Sequence, residues 1–365
     1  MIHQNQRNIS NFIHSYTQLS QINCPLPKVA VVILNWNGRE FLRKFLPTVI
    51  QHSAGAAEVI IADNASTDSS IEFMHQNHPE TRIIQNLTNG GFAKGYNDAL
   101  AYVEADYFIL LNSDIEVTEN WIGPVIDLME SDPKIAACQP KIKAYYDREM
   151  FEYAGAAGGF IDKYGYPFCR GRLFQTVEKD IGQFDDVTEI FWATGACMFV
   201  RADLYRKYGG LDQDFFAHME EIDFCWRLKN EGYRILYCPQ STVFHVGAGT
   251  LPKKSALKTY LNMRNNIVML YKNLPTEELL PVFFTRLCLD AVAALKFLID
   301  GGLQDFYAVF KAHFYFYGTY LRHRKKRKAI HQNKVSQIYQ GNLVLEYFLR
   351  KRHHFNELPK DHFSL

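Results

Sequence analysis

Short apolar runs, most of them stopping abruptly at turn-forming residues, set the rhythm of the first part of this chain. Lys28–Leu34 (KVAVVIL), Glu58–Ala62, Thr81–Gln85, Tyr107–Asn112 and Ile135–Gln139 are such runs, and the first four run into Asn, Asp, Ser or Gly. Runs of this length, bounded in this way, read as strands buried within a sheet. Between them apolar positions recur with helical spacing: from the turn Asn35–Gly38 through Gln51, after the cap-rich 63–68 segment, from Asn89 to about Glu104, and over 119–131, where Asp132-Pro133 stops the helix. Strand alternating with helix predicts an α/β fold on a mostly parallel sheet flanked by helices. From Lys141 to about Asp186 the rhythm breaks into Gly- and Tyr-rich pieces, which predicts a loop-and-hairpin insertion (140–190) near the site, a candidate lid. Thr188–Arg201 re-enters the fold with Gly195 between apolar residues, where glycine marks close approach by a ligand or another backbone. A helix near Glu220, a strand Tyr233–Cys238 and the run Pro239–His245 after it complete the domain, giving an expected span of 28–250.

In sheets of this class ligands bind beyond the carboxyl ends of the strands, and carboxylates stand there. Asp63 follows the second strand and Asp114 the fourth. On the lip of a buried strand, Asp114 is placed to hold a divalent cation against a phosphate; the alternative is that it opens a turn or caps the next helix. The loop Asn89-Gly90-Gly91-Phe92-Ala93-Lys94-Gly95-Tyr96-Asn97 suits either phosphate contact or a tight turn with close helix packing. Its spacing is neither GxGxxG nor a Walker loop, which argues against a dinucleotide oxidoreductase and a P-loop NTPase. Further on, Glu220, Glu221 and Asp223 stand among Phe, Met, Ile, Cys and Trp. A carboxylate in apolar surroundings has its pKa raised, as a general base requires. Helical spacing pairs Glu220 with Asp223 and Asp223 with Arg227, leaving Glu221 on a different face. An acidic helix start favoured by the macrodipole is the alternative. His245 reads as a structural histidine or a ligand.

Composition changes the picture in two places. The net charge of +1 over 365 residues hides an asymmetry: Thr250–Leu365 holds 19 Lys/Arg against 8 Asp/Glu, and the remainder 21 against 31. A basic region beside an acidic body suits an anionic partner surface. The seven cysteines (24, 138, 169, 197, 225, 238, 288) are odd in number, scattered and without a CxxC pair. That pattern argues for a reducing, cytoplasmic setting and against a disulfide framework or structural zinc. The polar, Gln/Asn-rich residues 1–27 lack the apolar core of a signal peptide and read as a flexible extension.

Six segments in order, VVILNWNG (31–38), IADNASTD (61–68), NGGFAKGYN (89–97), LLNSD (110–114), TGACMFVR (194–201) and GLDQDFFAHMEEIDFCWR (210–227, running on to His245), resemble the family 2 glycosyltransferases, enzymes of GT-A fold. The resemblance covers Val29–Gly249 and comes nearest in pattern to rhamnosyltransferases of bacterial polysaccharide biosynthesis. It implies that Asp63 accepts from a pyrimidine imino N–H and that Asn35, Trp36, Asn37 and Gly38 line the same nucleoside pocket. Asn89, Gly91, Phe92, Lys94, Gly95 and Asn97 would lie under the ribose and phosphates, with Asn112 and Ser113 beside them. It further implies a divalent cation (Mn²⁺ or Mg²⁺) on Asp114 and His245, with Asn112 standing where the family's metal motif has its first acid. Glu221 would be the catalytic base of an inverting transfer, Gly195 would serve the acceptor, and Glu220 and Asp223 would be supporting or acceptor-binding carboxylates. A UDP- or dTDP-linked sugar and a polysaccharide or lipid-linked acceptor are the implied substrates. A non-catalytic nucleotide-sugar-binding or scaffold protein with a degenerate metal site is the alternative, and no QxxRW motif supports a processive polymerase.

Past 250 the resemblance thins to Arg264-Asn265-Asn266 in a helical run, Thr259–Leu274. The expected plan is a helical, membrane-associating region (251–330) and a basic tail (331–365). Leu279–Leu303 and Phe306–Leu321 are apolar and aromatic but broken by Arg286, Asp290, Lys296 and Lys311, so neither predicts a transmembrane span. The cluster Arg322–Lys328 then suits peripheral docking on anionic lipid at the inner face of the cell membrane, rather than nucleic acid. A helical subdomain with a solvated basic run is the alternative.

Overall fold

A computed structural model describes residues 27–247 and 255–365; the expected extension 1–27 lies, but for Pro27, outside the described residues. The strands are β1 (Val29–Asn35), β2 (Glu58–Asp63), β3 (Arg82–Gln85), β4 (Tyr107–Asn112), β5 (Ile115–Val117), β6 (Ile135–Ala144), β7 (Gly159–Asp162), β8 (Pro167–Cys169), β9 (Arg172–Leu173), β10 (Thr176–Val177), β11 (Thr188–Ile190), β12 (Cys197–Arg201), β13 (Arg234–His245) and β14 (Ile338–Tyr339). The main sheet runs β3-β2-β1-β4-β12-β6-β13-β11, and β5 pairs with β13. β3, β2, β1 and β4 are mutually parallel, as are β6 and β13, while β12 is antiparallel to both its neighbours.

Alternation along β1 explains its unbroken apolar run. Ala30 and Val32 face one core with Tyr96 and Ala99; Val31 and Ile33 face the other with Leu42 and Leu46. Helices α1 (Arg39–Ser53), α2 (Ser70–Asn77), α3 (Gly91–Leu100), α4 (Gly123–Glu130), α5 (Ala202–Lys207) and α6 (Glu220–Asn230) flank the sheet. Among the boundaries that differ from the pattern reading, two have a direct cause. Helix α4 starts at Gly123 rather than 119 because Pro124 fits only its first turn. Strand β6 runs to Ala144 rather than Gln139 because β13, after a register shift between Cys238 and Thr242, offers a partner as far as His245.

The insertion is a second sheet, β10-β9-β8-β7-β14. Its last strand comes from the 331–365 segment, which packs back on the insertion. Phe355 and Phe363 sit 5.1 and 5.5 Å from the ring of Phe160. The main-chain N–H of Leu343 donates to Asp162 at 3.0 Å.

Helices α7 (Ala256–Asn273), α8 (Thr276–Ile299), α9 (Leu303–Gly318) and α10 (Tyr320–Lys328) form the helical region. Part of the basic cluster on α10 is internal: Arg327 donates to the carbonyls of Tyr271 (2.6 Å) and Leu274 (2.7 Å). Lys326 reaches Asp212 and Asp214, both at 2.5 Å, and Arg322 pairs with Asp214. Arg324, Lys325 and Lys328 stay exposed. Among the described residues no helix is long and apolar enough to cross a membrane. Five of the six described cysteines are buried free thiols and Cys288 is an exposed one.

Candidate active site

Asn35, Trp36, Asn37, Asp63, Asn112, Ser113 and Asp114 stand at the carboxyl ends of β1, β2 and β4. At the first corner the chain leaves β1 through Asn35 and Trp36 into Asn37, whose φ is 53°. Asn37 ties that turn to the one after β2: its side-chain oxygen accepts from the N–H of Thr67 at 2.7 Å, and its own N–H donates to Ser66 Oγ at 2.9 Å. Asp63 is buried, with one carboxylate oxygen accepting from Asn35 Nδ2 (3.1 Å) and the other from the N–H of Ser66 (3.0 Å). Each oxygen keeps a second lone pair. Asn35 Oδ1 is buried without a partner and faces Gly38, where a Cβ would approach it to 2.5 Å. That Cβ would also lie 3.4 Å from Ser113 Oγ, so the corner abuts the turn after β4. Trp36 is 43% exposed at the lip.

The glycine loop is braced from beneath. Asn64, which sequence reasoning passed over, donates to Asn89 Oδ1 (2.9 Å) and the Gly91 carbonyl (3.1 Å), and Asn89 accepts from the N–H of Gly91 (2.9 Å). Gly91 has φ +82°, and a Cβ there would strike the Phe216 carbonyl at 2.4 Å, so only glycine fits. A Cβ on Gly95 would press on Asn64 at 3.0 Å. Lys94 pairs with Asp98 one turn on and stays partly exposed. Asn97 does not belong with these. Its amide is spent on Leu211 (N–H to its carbonyl, 2.7 Å) and on Tyr205, whose hydroxyl donates to Asn97 Oδ1 at 2.7 Å. Its role is to anchor the turn before α6.

The metal end lies one strand over. Asp114 and His245, on paired β-segments, are both buried, with Nε2 of His245 3.2 Å from Asp114 Oδ1 and 3.4 Å from Asn112 Nδ2. Two ligands at right angles on one ion, each about 2.1 Å from it, stand about 3 Å apart, so this pair fits a shared divalent cation. Behind the ring, Glu152 from the insertion comes within 3.4 Å of Nδ1 without hydrogen-bond alignment. A carboxylate behind a ligand histidine orients the ring and raises its basicity. Burial disfavours the imidazolium, yet the Glu152 and Asp114 carboxylates push the His245 pKa up to about 10. Burial works against the Asp114 charge too, and the His245 contact more than offsets it, holding Asp114 below the usual range. Among the described residues no three His, Cys, Asp or Glu side chains form a complete cage, so other ligands of the ion would come from donor phosphate and water.

The acidic helix separates its three carboxylates by face. Asp223 is wholly buried and accepts from Arg227 Nε (3.0 Å), Lys272 Nζ (2.9 Å) and Asn273 Nδ2 (2.9 Å). It is a structural hub, which corrects the acceptor-binding role expected of it. Glu220, one turn earlier on that inward face, is 4% exposed, and burial followed by the charge of Glu221 drives its pKa well up. Its Oε2 is buried without a partner. Glu221 is the least enclosed of the three, half-buried, with its Oε2 buried and without a partner. A Cβ on Gly195 would lie 3.9 Å from the Cβ of Glu221 and 2.9 Å from the Phe92 ring. The next residue, Ala196, accepts from the N–H of Asn112 at 2.9 Å, which carries the arrangement back to the metal end. Burial raises the pKa of Glu221, and the N–H of Gly195 offsets part of that rise.

The glycosyl transferase family 2 model matches residues 30–209. The chain carries a family 2 glycosyltransferase domain. It is similar to an N-acetylglucosaminyl-diphospho-decaprenol L-rhamnosyltransferase of Mycobacterium tuberculosis, 24% identical over 233 residues, 59% of this chain and 75% of that one. It is similar also to the rhamnosyltransferase WbbL of Escherichia coli K12, 23% identical over 60% of this chain and 83% of the relative. Among solved structures, GalNAc-T7 with UDP, GalNAc and Mn²⁺ superposes with TM-score 0.56 at 16% identity, covering 69% of this chain and about half (49%) of that one. The mannosyltransferase PcManGT from Pyrobaculum calidifontis, with GDP-Man and Mn²⁺, gives 0.50 at 12% identity over 90% and 89%. The fold of this glycosyltransferase is thus of the GT-A type, with a helical region appended.

Besides Asn64, the residues missed from sequence are Ser66, Glu152 and Asn265. Glu152 had no local signal, since it sits in the irregular insertion, 93 residues before the histidine it supports. Asn265 belongs to the noted Arg264-Asn265-Asn266 triplet, whose task shows only in three dimensions. Its amide nitrogen reaches the carbonyls of Phe215, Ala217 and His218, just ahead of Glu220-Glu221.

Proposed function

We propose that this glycosyltransferase is inverting and metal-dependent. It moves a sugar, rhamnose being the leading candidate, from a UDP- or dTDP-linked donor to a hydroxyl of a polysaccharide or lipid-linked oligosaccharide, at the inner face of the cell membrane. The observation that carries the reading is Glu221, half-buried beside Gly195 with an Oε2 left without a partner, while Asp223 is used up by Arg227, Lys272 and Asn273. Glu221 is the base: its carboxylate takes the acceptor hydroxyl's proton as that oxygen bonds to the anomeric carbon and the bond to the nucleoside diphosphate breaks. A base of raised pKa holds that proton well once it arrives. Asp63 supplies the acceptor for the single imino N–H on the edge of a uracil or thymine. Asp114 and His245 would hold the divalent cation, which when bound neutralises charge on the departing diphosphate.

Thermal unfolding with UDP, dTDP or GDP, each with Mn²⁺, Mg²⁺ or EDTA, tests the donor half. A ligand at 100 times its Kd adds about 2.7 kcal/mol, a shift of a few degrees. One nucleotide should give a metal-dependent shift that Asp114→Ala removes. Glu221→Gln should keep that shift and lose transfer. Full turnover by Glu221→Gln would refute the base, and no shift with any nucleotide would leave a scaffold protein with a degenerate site as the better reading.

A further inference from the structure

Helix α8 is built inside out. Its two central charged side chains point inward: Arg286 donates to Asp290 (2.7 Å) and to Asn266 Oδ1 of α7 (2.7 Å), and Asp290 meets His313 of α9 at 3.1 Å. Its outer face is apolar, with positions 280, 284, 287, 291, 295 and 298 all exposed, a spacing that draws one stripe down a helix. Phe284 is 71% exposed. Helix α9 repeats the pattern with Leu303, Tyr307, Phe310, Phe314 and Tyr317 outward, and Leu321 of α10 continues it. The two stripes meet across a groove of about 190 Å³ bordered by Phe284 and Leu287 on one side and Tyr317 on the other. A contiguous apolar face of this extent is not left to water.

We infer that the outer face of α8–α9 lies in the plane of an anionic bilayer, sunk to the boundary between headgroups and acyl chains. The charges flanking the apolar face select this occupant. Lys311, Arg324, Lys325 and Lys328 are exposed beside the aromatic stripe, and Lys296 is paired with Asp300 at 2.7 Å. Exposed Glu277 stands at the far end of α8, with half-buried Glu278 beside it. Basic residues around an apolar, aromatic stripe match lipid phosphate above and acyl chain below. A two-fold contact with a second copy would set the same basic rim against itself, an arrangement that interfaces avoid. The helices lie flat rather than spanning, because their inward charges are held by α7 and the insertion. This deepens the proposed membrane-linked acceptor, and its test is independent of that reading.

The test is flotation of the full chain with vesicles of phosphatidylglycerol and phosphatidylethanolamine, against vesicles of phosphatidylcholine alone. The protein is expected to float with the anionic vesicles and much less with the neutral ones. Phe284→Asp and Phe314→Asp should each weaken partitioning by about tenfold or more. Arg324→Glu with Lys325→Glu should abolish the preference for anionic lipid. All four positions carry exposed side chains away from the nucleotide corner, so nucleotide-induced thermal shifts should persist in every variant and report intact folding. Absence of flotation, or flotation indifferent to these substitutions, overturns the inference. So does sedimentation showing a dimer that Phe284→Asp and Phe314→Asp dissociate, since the face would then belong to a second copy. Loss of nucleotide binding in the unmodified protein would instead count against the transferase reading and leave the membrane face standing.

Discussion

Replacing Asn265 by alanine separates positioning of the base from stability. Asn265 is fully buried on α7, and its amide nitrogen lies 3.0, 2.8 and 2.7 Å from the carbonyls of Phe215, Ala217 and His218. The segment it grips holds three non-glycine residues at positive φ: Phe216 at 64°, His218 at 71° and Met219 at 71°. Each left-handed residue costs about 1–2 kcal/mol, so roughly 3–6 kcal/mol of strain is held by surrounding contacts. Arg264, bonded to the carbonyls of Asp214 (3.0 Å) and Phe215 (2.8 Å), remains in the variant, as does the N–H of Phe92 on the Phe216 carbonyl (2.7 Å). Leaving the other carbonyls without their donor costs about 1–3 kcal/mol, which in a chain of this size lowers Tm by a few degrees. The effect on chemistry should be larger. The strained segment feeds directly into Glu221, and an error of about 1 Å at a reacting group costs about 100-fold. Asn265→Ala is therefore expected to lose kcat by about two orders of magnitude while the nucleotide-induced thermal shift stays normal, since Asn35, Asp63 and Asp114 sit on other elements. Transfer kinetics beside thermal unfolding read both. A kcat within twofold of the parent protein, accompanied by the expected fall in Tm, would show that the clamp does not position the base and would refute the argument.

Three further outcomes follow from the same geometry. Glu152→Gln should weaken Mn²⁺ binding by about tenfold or more, read by titration calorimetry or Mn²⁺ paramagnetic resonance without donor present; unchanged affinity would detach Glu152 from the metal. The acid limb of kcat/KM should lie above the ordinary range of a glutamate, because burial raises Glu221 and the carboxylate form is the active one; a limb at or below that range would contradict its environment. His323 lies buried against Phe316, its pKa pushed by burial down to about 4. The stability tied to its neutral form is present above pH 6.5 and lost as pH falls toward 4. His323→Gln should flatten part of that fall in a Tm–pH series, and an unaltered profile would place the acid sensitivity elsewhere.

How much could be read in advance depended on whether a residue's partners were local. The strands of the parallel half were legible because both faces of β1 and β4 are buried, which leaves an uninterrupted apolar run ending in turn residues. The division of Glu221 from Glu220 and Asp223 followed from helical spacing alone. The part played by each inward carboxylate did not: Asp223 is occupied by Lys272 and Asn273, some 50 residues on, and no periodicity announces that. The same holds for Asn97, committed to Tyr205 and Leu211 across more than 100 residues. The basic cluster of α10 misled in part for a related reason. Charge counts cannot tell Arg324, exposed, from Arg327, whose guanidinium is used up on the carbonyls ending α7.

The pairing of β14 with β7 has a consequence for the order in which the protein assembles. Ile338 lies against Ile161, and Leu343 reaches Asp162 across 181 residues of chain. During synthesis at about 5–20 residues per second, the insertion that carries Glu152 waits about ten seconds or more before its partner strand exists. Until then Phe160 and Phe168 face solvent with one sheet edge unpaired, the kind of surface that attracts other chains and holdase chaperones. The metal-side wall would thus be among the last parts of the site to become native, well after the nucleotide corner, whose partners lie within about 30 residues of one another.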